Sequence, residues 1–251
     1  MNINNHKNPD LQKLDWPQPT KRVDWHKKWS GFDNKAVLFD LDGTLLNTAG
    51  DLGAAANALR AENNLLPLPI EILKPHTSRG ARGMIEVALG VGWNDRGFEE
   101  LRLKFLKKYE ECLLMTTCFM PGMQHLLTVL EKNNILWGIV TNKPRRYTLP
   151  LLEALALTPG ALLCADDLSV KKPAPEPLWE AAKRLGVSPE ACWYIGDHVR
   201  DMQAAKAAGM TAVAVGYGYI SEEDDYQSWP ADLWFTTCDE LVAALHDHRT
   251  D

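Results

Sequence analysis

AVLFDLDGT, at residues 36–44, is the stretch that decides the fold of this 251-residue chain. Its first four residues form a compact apolar run, which predicts a buried β-strand over Ala36–Phe39. Asp40 and Asp42 follow at once, and side chains two residues apart in an extended segment point the same way. Gly43 then permits a sharp turn. Both carboxylates are therefore expected to face one crevice at the carboxyl end of a parallel strand, where open α/β sheets bind ligands.

A β-hairpin is the alternative interpretation of this stretch, with Asp42-Gly43 as the turn between residues 37–39 and 45–46. The rest of the chain favours the parallel strand, because further short apolar runs alternate with helical patterns. The apolar runs are residues 135–140, 161–164, 192–195 and 211–215, and the helical patterns are residues 122–132, 145–156, 175–185 and 201–208. This order predicts an α/β protein with a doubly wound, Rossmann-like parallel sheet.

The alternation is interrupted by an insert directly after the first strand. Residues 48–115 contain helical patterns at 48–62, 81–89 and 99–114 and no convincing strand. We therefore predict a small α-helical cap over residues 48–115 and a core domain made of residues 34–47 and 116–251. Residues 1–33 are predicted to be an N-terminal extension, either partly disordered or docked on the body through its three tryptophans, Trp16, Trp25 and Trp29.

Composition restricts the class of partner. The formal net charge is −6 and there is no long basic run, which argues against nucleic-acid binding. No apolar run approaches the roughly 20 residues of a membrane span. The five cysteines form no C-x-x-C pair, which is typical of reduced thiols in a cytoplasmic protein. No H-x-x-H or H-E-x-x-H spacing occurs, so a zinc site of that kind is not expected.

Polar residues follow three further segments of the predicted sheet. Thr141 and Asn142 come after the run 135–140 and could cradle phosphate oxygens, and they could equally cap the next helix. Lys172 lies in a proline-rich loop and could neutralise a phosphate, or it could be a solvated basic residue. Asp197 follows the run 192–195, with Asp201 four residues later.

Asp197 and Asp201 have helical explanations as well, since Asp197 could be an N-cap and Asp201 an acid in a first helical turn. If the strands are neighbours, however, Asp197 lands beside Asp40 and Asp42. Converging carboxylates repel one another unless a cation is present. Mg²⁺ prefers oxygen ligands, and the sequence therefore predicts a magnesium site.

Four short motifs, in this order, resemble those of the haloacid dehalogenase-like hydrolase superfamily. They are Asp40-Leu41-Asp42-Gly43-Thr44, Thr141-Asn142, Lys172-Pro173 and Gly196-Asp197. The helical insert is similar to the cap of the phosphoglycolate phosphatase-like group. Residues 77–84, 136–144 and 217–220 look like the N-acetylmuramic acid 6-phosphate phosphatase branch of that group, although Arg79 stands where a second glycine is expected.

The resemblance implies a role for each matched residue. Asp40 would attack phosphorus, and Asp42 would protonate the leaving oxygen and then activate water. Asp40, the backbone carbonyl of Asp42, and Asp197 would hold Mg²⁺. Thr141 and Lys172 would stabilise the phosphoryl oxygens, so that the catalytic set is Asp40, Asp42, Thr141 and Lys172.

The substrate-binding set comprises Thr141, Asn142, Lys172 and Arg82. Arg82, in the cap, is the candidate contact for a substrate carboxylate, with an exposed helix arginine as the alternative. The expected function is magnesium-dependent hydrolysis of a small phosphorylated metabolite of the phosphoglycolate or N-acetylmuramic acid 6-phosphate type, by a monomer or homodimer. A phosphomutase is the alternative on the same scaffold; Asp42 disfavours dehalogenation, and the intact set disfavours a non-enzymatic module.

Overall fold

The structure, a computed structural model, describes residues 35–221 and 224–246. The predicted N-terminal extension and the proposed docking of its tryptophans lie outside these residues. Within them, no helix combines the length and the apolar character that a membrane span needs.

The centre of the fold is a six-stranded sheet in which every pairing is parallel. In spatial order its strands are β5 (Ala161–Leu163), β4 (Leu136–Val140), β1 (Ala36–Phe39), β6 (Cys192–Gly196), β7 (Thr211–Val215) and β8 (Leu233–Phe235). Phe39, at the end of β1, is in register with Ile139 of β4 and Ile195 of β6. The strand order therefore reverses direction at β1, which confirms the doubly wound α/β prediction.

The hairpin interpretation of residues 37–46 is wrong. Strand β1 pairs with β4 and β6 on its two sides, while Leu46–Asn47 forms a short strand, β2, that pairs antiparallel with β3 (Cys118–Phe119). The fully buried side chains of β1 explain the outcome, because a strand covered on both faces belongs inside a sheet and not in an exposed ribbon.

Helices cover the sheet. They are α5 (Met123–Lys132), α6 (Arg145–Ala154), α7 (Glu176–Leu185), α8 (Val199–Ala208) and α9 (Cys238–His246). Apolar side chains of α7 and α8 pack in one cluster with Ala36 and Leu38, on one face of the sheet. Helix α5 packs against β4 and α9. Burial of this kind contributes roughly 25 cal/mol for each Å² of apolar surface.

The predicted cap segment contains the helices α1 (Ala49–Glu62), α2 (Ile70–Leu73), α3 (Gly80–Leu89) and α4 (Phe98–Cys112), with a 3-10 segment at Lys74–Arg79. These helices bury an apolar cluster of their own, which includes Leu59, Met84 and Phe105. Tyr147 of α6 also belongs to this cluster, and its ring centroid lies 5.3 Å from that of Tyr109 of α4, with the two rings tilted against each other. The cap is therefore packed on the core through aromatic side chains.

Three short elements were missed by the sequence patterns. The ribbon formed by β2 and β3 has two residues in each strand, and β8 has three. Such runs are too short to show a period, and their pairing partners are distant in the sequence. The paired strands of this ribbon lie where the chain enters and leaves the predicted cap segment.

Candidate active site

Asp40 lies at the carboxyl end of β1, in the middle of the sheet. Its N–H donates to the carbonyl of Ile195 at 2.9 Å, and one of its carboxylate oxygens accepts from the N–H of Leu41 at 2.7 Å. Burial alone would raise the pKa of this carboxyl, but the charges of Lys172 and Arg200 outweigh it and lower the pKa below its usual value. Asp40 is therefore ionised and can act as a nucleophile.

Lys172 is the cation closest to Asp40. Its Nζ lies 2.9 Å from an oxygen of Asp40 and 2.8 Å from an oxygen of Asp201. It also donates to the hydroxyl of Tyr194 at 2.6 Å, and Tyr194 in turn donates to the carbonyl of Val140 at 2.7 Å. Contacts on three sides fix the ammonium group beside the carboxylates. The solvated-loop interpretation of Lys172 is wrong, since the side chain is fully buried.

Asn142 holds Lys172 in place from the backbone side. Its side-chain N–H donates to the carbonyl of Lys172 at 3.0 Å, and its side-chain oxygen accepts from the N–H of Lys172 at 3.1 Å. These paired bonds join the end of β4 to the lysine loop, 30 residues further along the chain. These bonds position Lys172, and the predicted substrate contact of Asn142 stays a prediction.

Thr141 is buried at the end of β4. Its hydroxyl oxygen accepts from the N–H of Lys143 at 3.1 Å, which leaves the hydroxyl hydrogen free to donate to a ligand. Its own N–H is used by the sheet, through a bond to Leu163 at 2.8 Å. This geometry is compatible with the predicted contact to a phosphoryl oxygen.

Asp197 lies at the carboxyl end of β6. One of its oxygens accepts from the N–H of Tyr219 at 2.8 Å and from the hydroxyl of Ser78, in the cap, at 3.1 Å. Burial, followed by the charges of Asp40 and Asp201, raises the pKa of Asp197 to about 7. The carboxyl is thus poised between its protonated and ionised forms near neutral pH.

Two glycines make room for Asp197. A Cβ at Gly43 would lie 2.1 Å from an oxygen of Asp197, and a Cβ at Gly218 would lie 2.2 Å from its Cβ. Gly43 also has a φ of +82°, in the left-handed region that favours glycine. The glycine in the opening stretch is therefore needed for the close approach of this carboxylate as well as for the turn.

Three buried carboxylates meet here, with oxygens of Asp40, Asp197 and Asp201 all within 4.8 Å of one another. Asp201 also caps α8, because one of its oxygens accepts from the N–H of His198 at 3.1 Å. Burial raises the pKa of Asp201 despite the opposing charge of Lys172. Three acids around one lysine leave an excess of negative charge, and an all-oxygen donor set of this kind fits a hard divalent cation such as Mg²⁺.

Asp42 lies apart from this cluster and faces the cap. One of its oxygens accepts from the hydroxyl of Thr48 at 2.6 Å and from Nζ of Lys143 at 2.8 Å. Burial would lower the pKa of Lys143, but the charge of Asp42 outweighs it and raises that pKa. Nζ of Lys143 also lies 4.8 Å from the ring centroid of Tyr109 in α4. The predicted acid/base is therefore held in an ion pair at the junction of core and cap.

The cap reaches the carboxylates through its 3-10 segment. Besides the bond from Ser78 to Asp197, the guanidinium of Arg200 in α8 donates to the carbonyl of Ser78. Tyr219 anchors the first cap helix, because its hydroxyl accepts from the N–H of Thr48 at 2.6 Å and from the N–H of Ala49 at 3.0 Å. These contacts connect the cap to the core on both sides of Asp197.

The structure places Arg82 away from these contacts. Its side chain is exposed on α3, with the guanidinium 4.6 Å from the ring centroid of Trp93. Thus the structure brings Asp40, Lys172 and Asp197 together. Asn142 holds the backbone of Lys172, and Arg82 lies on the surface of the cap over the ring of Trp93. Sequence patterns missed Lys143, Ser78 and Arg200. Two of these gave a signal: Lys143 directly follows the Thr141-Asn142 pair, and Ser78 lies in the cap stretch 77–84 that carries the family resemblance.

Comparisons with known proteins agree with this geometry. A family model described as haloacid dehalogenase-like hydrolase matches residues 37–215. An N-acetylmuramic acid 6-phosphate phosphatase from Pseudomonas putida is 41% identical over 201 residues, covering 79% of this chain and 90% of the relative. A phosphoglycolate phosphatase from Xylella fastidiosa is 42% identical over 201 residues, covering 79% and 87%. The solved structure of a hydrolase from Pseudomonas syringae is 27% identical with a TM-score of 0.67, covering 84% and 97%.

Proposed function

We propose that this chain, a phosphatase that belongs to the haloacid dehalogenase-like hydrolase family, hydrolyses small phosphomonoesters through a covalent intermediate on Asp40, with Mg²⁺ as cofactor. One observation carries the proposal: a buried and ionised Asp40 lies 2.9 Å from Lys172, within a cluster of three carboxylates. A nucleophile, a fixed positive charge and a set of metal ligands are the parts that phosphoryl transfer requires.

In the first step, a carboxylate oxygen of Asp40 attacks the phosphorus atom of the substrate. The bond between phosphorus and the leaving oxygen breaks, and Asp42 supplies the proton that the leaving alcohol needs. Lys172 and the hydroxyl of Thr141 stabilise the charge on the phosphoryl oxygens. The products of this step are the free alcohol, an aspartyl phosphate on Asp40 and an ionised Asp42.

In the second step, Asp42 takes a proton from a water molecule as the water oxygen attacks the phosphorus of the intermediate. The acyl–phosphate bond breaks, which releases inorganic phosphate and restores Asp40. The contacts of Asp42 with Lys143 and Thr48 suit this step, because they hold its carboxyl group in a defined orientation. A cap packed over the site would exclude other water molecules.

Mg²⁺ would be held by Asp40, Asp197 and the backbone carbonyl of Asp42, and Asp201 is a further candidate ligand or a support for Lys172. The metal would supply charge neutralisation for the phosphoryl group and the nucleophile. The chain's own residues would orient the groups around the metal. Asn142 positions Lys172, and Tyr219 and Ser78 orient Asp197.

The names of the relatives suggest the substrate class. Both N-acetylmuramic acid 6-phosphate and phosphoglycolate join a phosphomonoester to a carboxylate in one small molecule. We therefore propose that the substrate is a small phosphomonoester with a second, carboxylate group. The choice between a sugar phosphate and a shorter acid depends on the space beneath the cap.

The test is phosphate release by the full chain with Mg²⁺ from a panel that contains N-acetylmuramic acid 6-phosphate, phosphoglycolate and an aryl phosphate. Turnover should need Mg²⁺ and stop on chelation. In the variant Asp40→Asn, which keeps the shape of the side chain but not the nucleophile, turnover should fall by about 10⁴-fold or more.

The circular dichroism spectrum and melting temperature of Asp40→Asn should remain close to those of the wild type, which separates loss of chemistry from loss of fold. Substantial residual turnover in this variant would remove Asp40 from the mechanism. Isomerisation of a sugar phosphate without release of phosphate would identify a phosphomutase instead.

A further inference from the structure

We propose that Arg200 is the specificity-determining residue of this enzyme, and that its guanidinium binds the carboxylate which the substrate carries in addition to its phosphate. The inference rests on the proposed function and deepens it, because it assigns a residue to the second anionic group of the substrate. It also differs from the sequence-based expectation, which gave this role to Arg82.

The position of Arg200 suits a contact with the leaving group. It lies in the first turn of α8, three residues after Asp197 and one before Asp201. Its charge acts on Asp40, Asp197 and Asp201, which places the guanidinium close to the carboxylate cluster. At the same time it donates to the carbonyl of Ser78 in the cap. Arg200 therefore bridges the reacting end of the site and the cap, where the leaving group must extend.

Arg200 also has hydrogen-bonding capacity to spare. Its Nε–H is buried and has no acceptor among the described residues. Nor does any described carboxylate lie within 4.0 Å of its guanidinium as an ion-pair partner, whereas Lys172 has two such partners and Lys143 has one. A buried donor without an acceptor lowers stability. A ligand that brings an acceptor to this point would remove that cost.

The two nearby cap arginines are already engaged. Arg79 forms an ion pair with Glu86, and Arg82 stacks on Trp93 at the exposed surface of α3. Neither forms a described hydrogen bond with Asp197 or Ser78, whereas Ser78 donates to Asp197 and Arg200 donates to the carbonyl of Ser78. The geometry therefore favours Arg200 over both as the contact for a substrate anion near the reacting atoms.

A carboxylate matches the guanidinium chemically. Guanidinium N–H groups form a planar fork that binds two carboxylate oxygens with parallel, charge-assisted hydrogen bonds. With one Nη of Arg200 held by Ser78, the Nε–H and the remaining N–H groups are available for such a ligand. Lysine would keep the charge but not the fork. A neutral hydroxyl in place of the carboxylate would gain far less from the contact.

The experiment compares substrates that differ only in the carboxylate. N-acetylmuramic acid 6-phosphate is paired with N-acetylglucosamine 6-phosphate, which lacks the lactyl group, and phosphoglycolate is paired with 2-hydroxyethyl phosphate. The ratio of kcat/KM within each pair is the selectivity. It is measured for the wild type, Arg200→Gln, Arg200→Lys and Arg82→Gln. Arg79→Gln serves as a control, since its guanidinium is occupied by Glu86.

Arg200→Gln should lower the selectivity in at least one pair by about 10- to 100-fold, the loss expected for a charge-assisted contact. Loss of the positive charge near Asp40 should also slow all substrates by a common factor, which cancels in the ratio. The additional loss should appear only in kcat/KM for the acid. Arg200→Lys should lie between Arg200→Gln and the wild type. The control Arg79→Gln should keep the wild-type ratio.

Equal loss on both members of each pair would overturn the proposal, since it would mean that Arg200 acts on the phosphoryl group or on the fold. So would a wild type with no preference for the acids, or loss of selectivity in Arg82→Gln while Arg200→Gln keeps it. Each of these results can occur in an enzyme that still needs Asp40 and Mg²⁺, so failure of this inference is distinct from failure of the proposed function.

Discussion

Asp201 and Asp51 are both completely buried, but their charges are balanced in different ways. Asp201 lies in the first turn of α8, at the carboxyl ends of the strands, which we call the sheet edge. Asp51 lies in α1, at the base of the cap. Asp201 shares Lys172 with Asp40 and lies within 4.8 Å of both Asp40 and Asp197, so negative charge exceeds positive charge around this lysine. Asp51 lies alone and accepts four hydrogen bonds. Their donors are the N–H groups of Leu114 and Thr116 and the hydroxyls of Thr116 and Thr117, at 2.6–2.8 Å.

The difference separates a chemical role from a structural one. Asp51 needs nothing further, because its charge is fully hydrogen-bonded. Its bonds join the start of the cap to residues 114–117, the segment that leads from the cap into β3. The sheet edge is incomplete by the same criterion, since burial, together with repulsion from Asp40 and Asp201, raises the pKa of Asp197 to about 7. A buried carboxylate in a cluster with surplus negative charge indicates a site for a cation. A buried carboxylate with a full set of hydrogen-bond donors indicates a structural role.

The largest expected effect comes from removing the lysine of the sheet edge. Lys172→Met keeps much of the side-chain volume but leaves Asp40 and Asp201 without their cation. We expect kcat/KM to fall by about 10³-fold. Without Mg²⁺, the free energy of unfolding should fall by about 3–5 kcal/mol, because two buried charges lose their partner. Chemical denaturation with and without Mg²⁺ measures the second effect, and Mg²⁺ should restore part of the loss.

Lys206→Met is the matched control, since Lys206 pairs with Asp232 at 2.6 Å on the exposed surface of α8. Loss of such an exposed pair should cost less than about 1 kcal/mol and leave turnover intact. If Lys172→Met kept wild-type activity and stability, the sheet edge would not depend on its lysine.

Substitution of Asp51 should have the opposite effect: it should lower stability and leave turnover largely intact. Asp51→Ala leaves four donors without their acceptor, and the free energy of unfolding should fall by about 3 kcal/mol. Folded enzyme should nevertheless keep most of its turnover, because Asp40, Lys172 and Asp197 are untouched. Denaturant unfolding gives the stability, and kcat at low temperature gives the activity of the folded fraction.

Glu86→Ala, which removes an exposed ion pair from the same cap, is the control for Asp51→Ala and should change stability by no more than about 0.5 kcal/mol. Loss of turnover in folded Asp51→Ala equal to that in Lys172→Met would erase the distinction between the two buried acids.

The smallest expected effect is a dependence on pH. Because the pKa of Asp197 is raised to about 7 in the metal-free protein, the carboxyl takes up a proton as the pH falls through 7. A metal must displace that proton, so the affinity for Mg²⁺ should weaken about tenfold between pH 8 and pH 6. Titration calorimetry at the two pH values measures it. An affinity independent of pH over this range would show that Asp197 is already ionised or does not bind the metal.

Much of the sheet edge was predictable from the sequence. Asp40 and Thr141 directly follow their apolar runs, and Asp197 follows its run after one glycine. Because parallel strands end at one edge, the sequence alone brings these three residues to one place. The fold class follows from the same alternation. Asp201 was ambiguous, and the structure shows why: it caps α8, as its helical explanation predicted, and it also contacts Lys172. Its part in a metal site stays a prediction.

The junction between core and cap was not predictable. Ser78 meets Asp197 across 119 residues of sequence, Tyr219 meets Thr48 across 171, and Lys143 meets Asp42 across 101. Such contacts depend on how two packed units come together, and no local pattern encodes that. The same reason explains why the resemblance of the cap stretch 77–84 pointed to Arg82, and why Arg200, in a helix of the core, gave no signal.

The most direct test of the central claim is to trap the phosphorylated enzyme. The full chain with Mg²⁺ is quenched in acid during turnover of an aryl phosphate, digested, and examined by mass spectrometry. We predict a peptide that contains Asp40 and carries the added mass of one phosphoryl group, with the modification on Asp40 and absent from Asp40→Asn. Phosphorylation of a different residue, or continued turnover of Asp40→Asn without any phosphorylated peptide, would contradict the account.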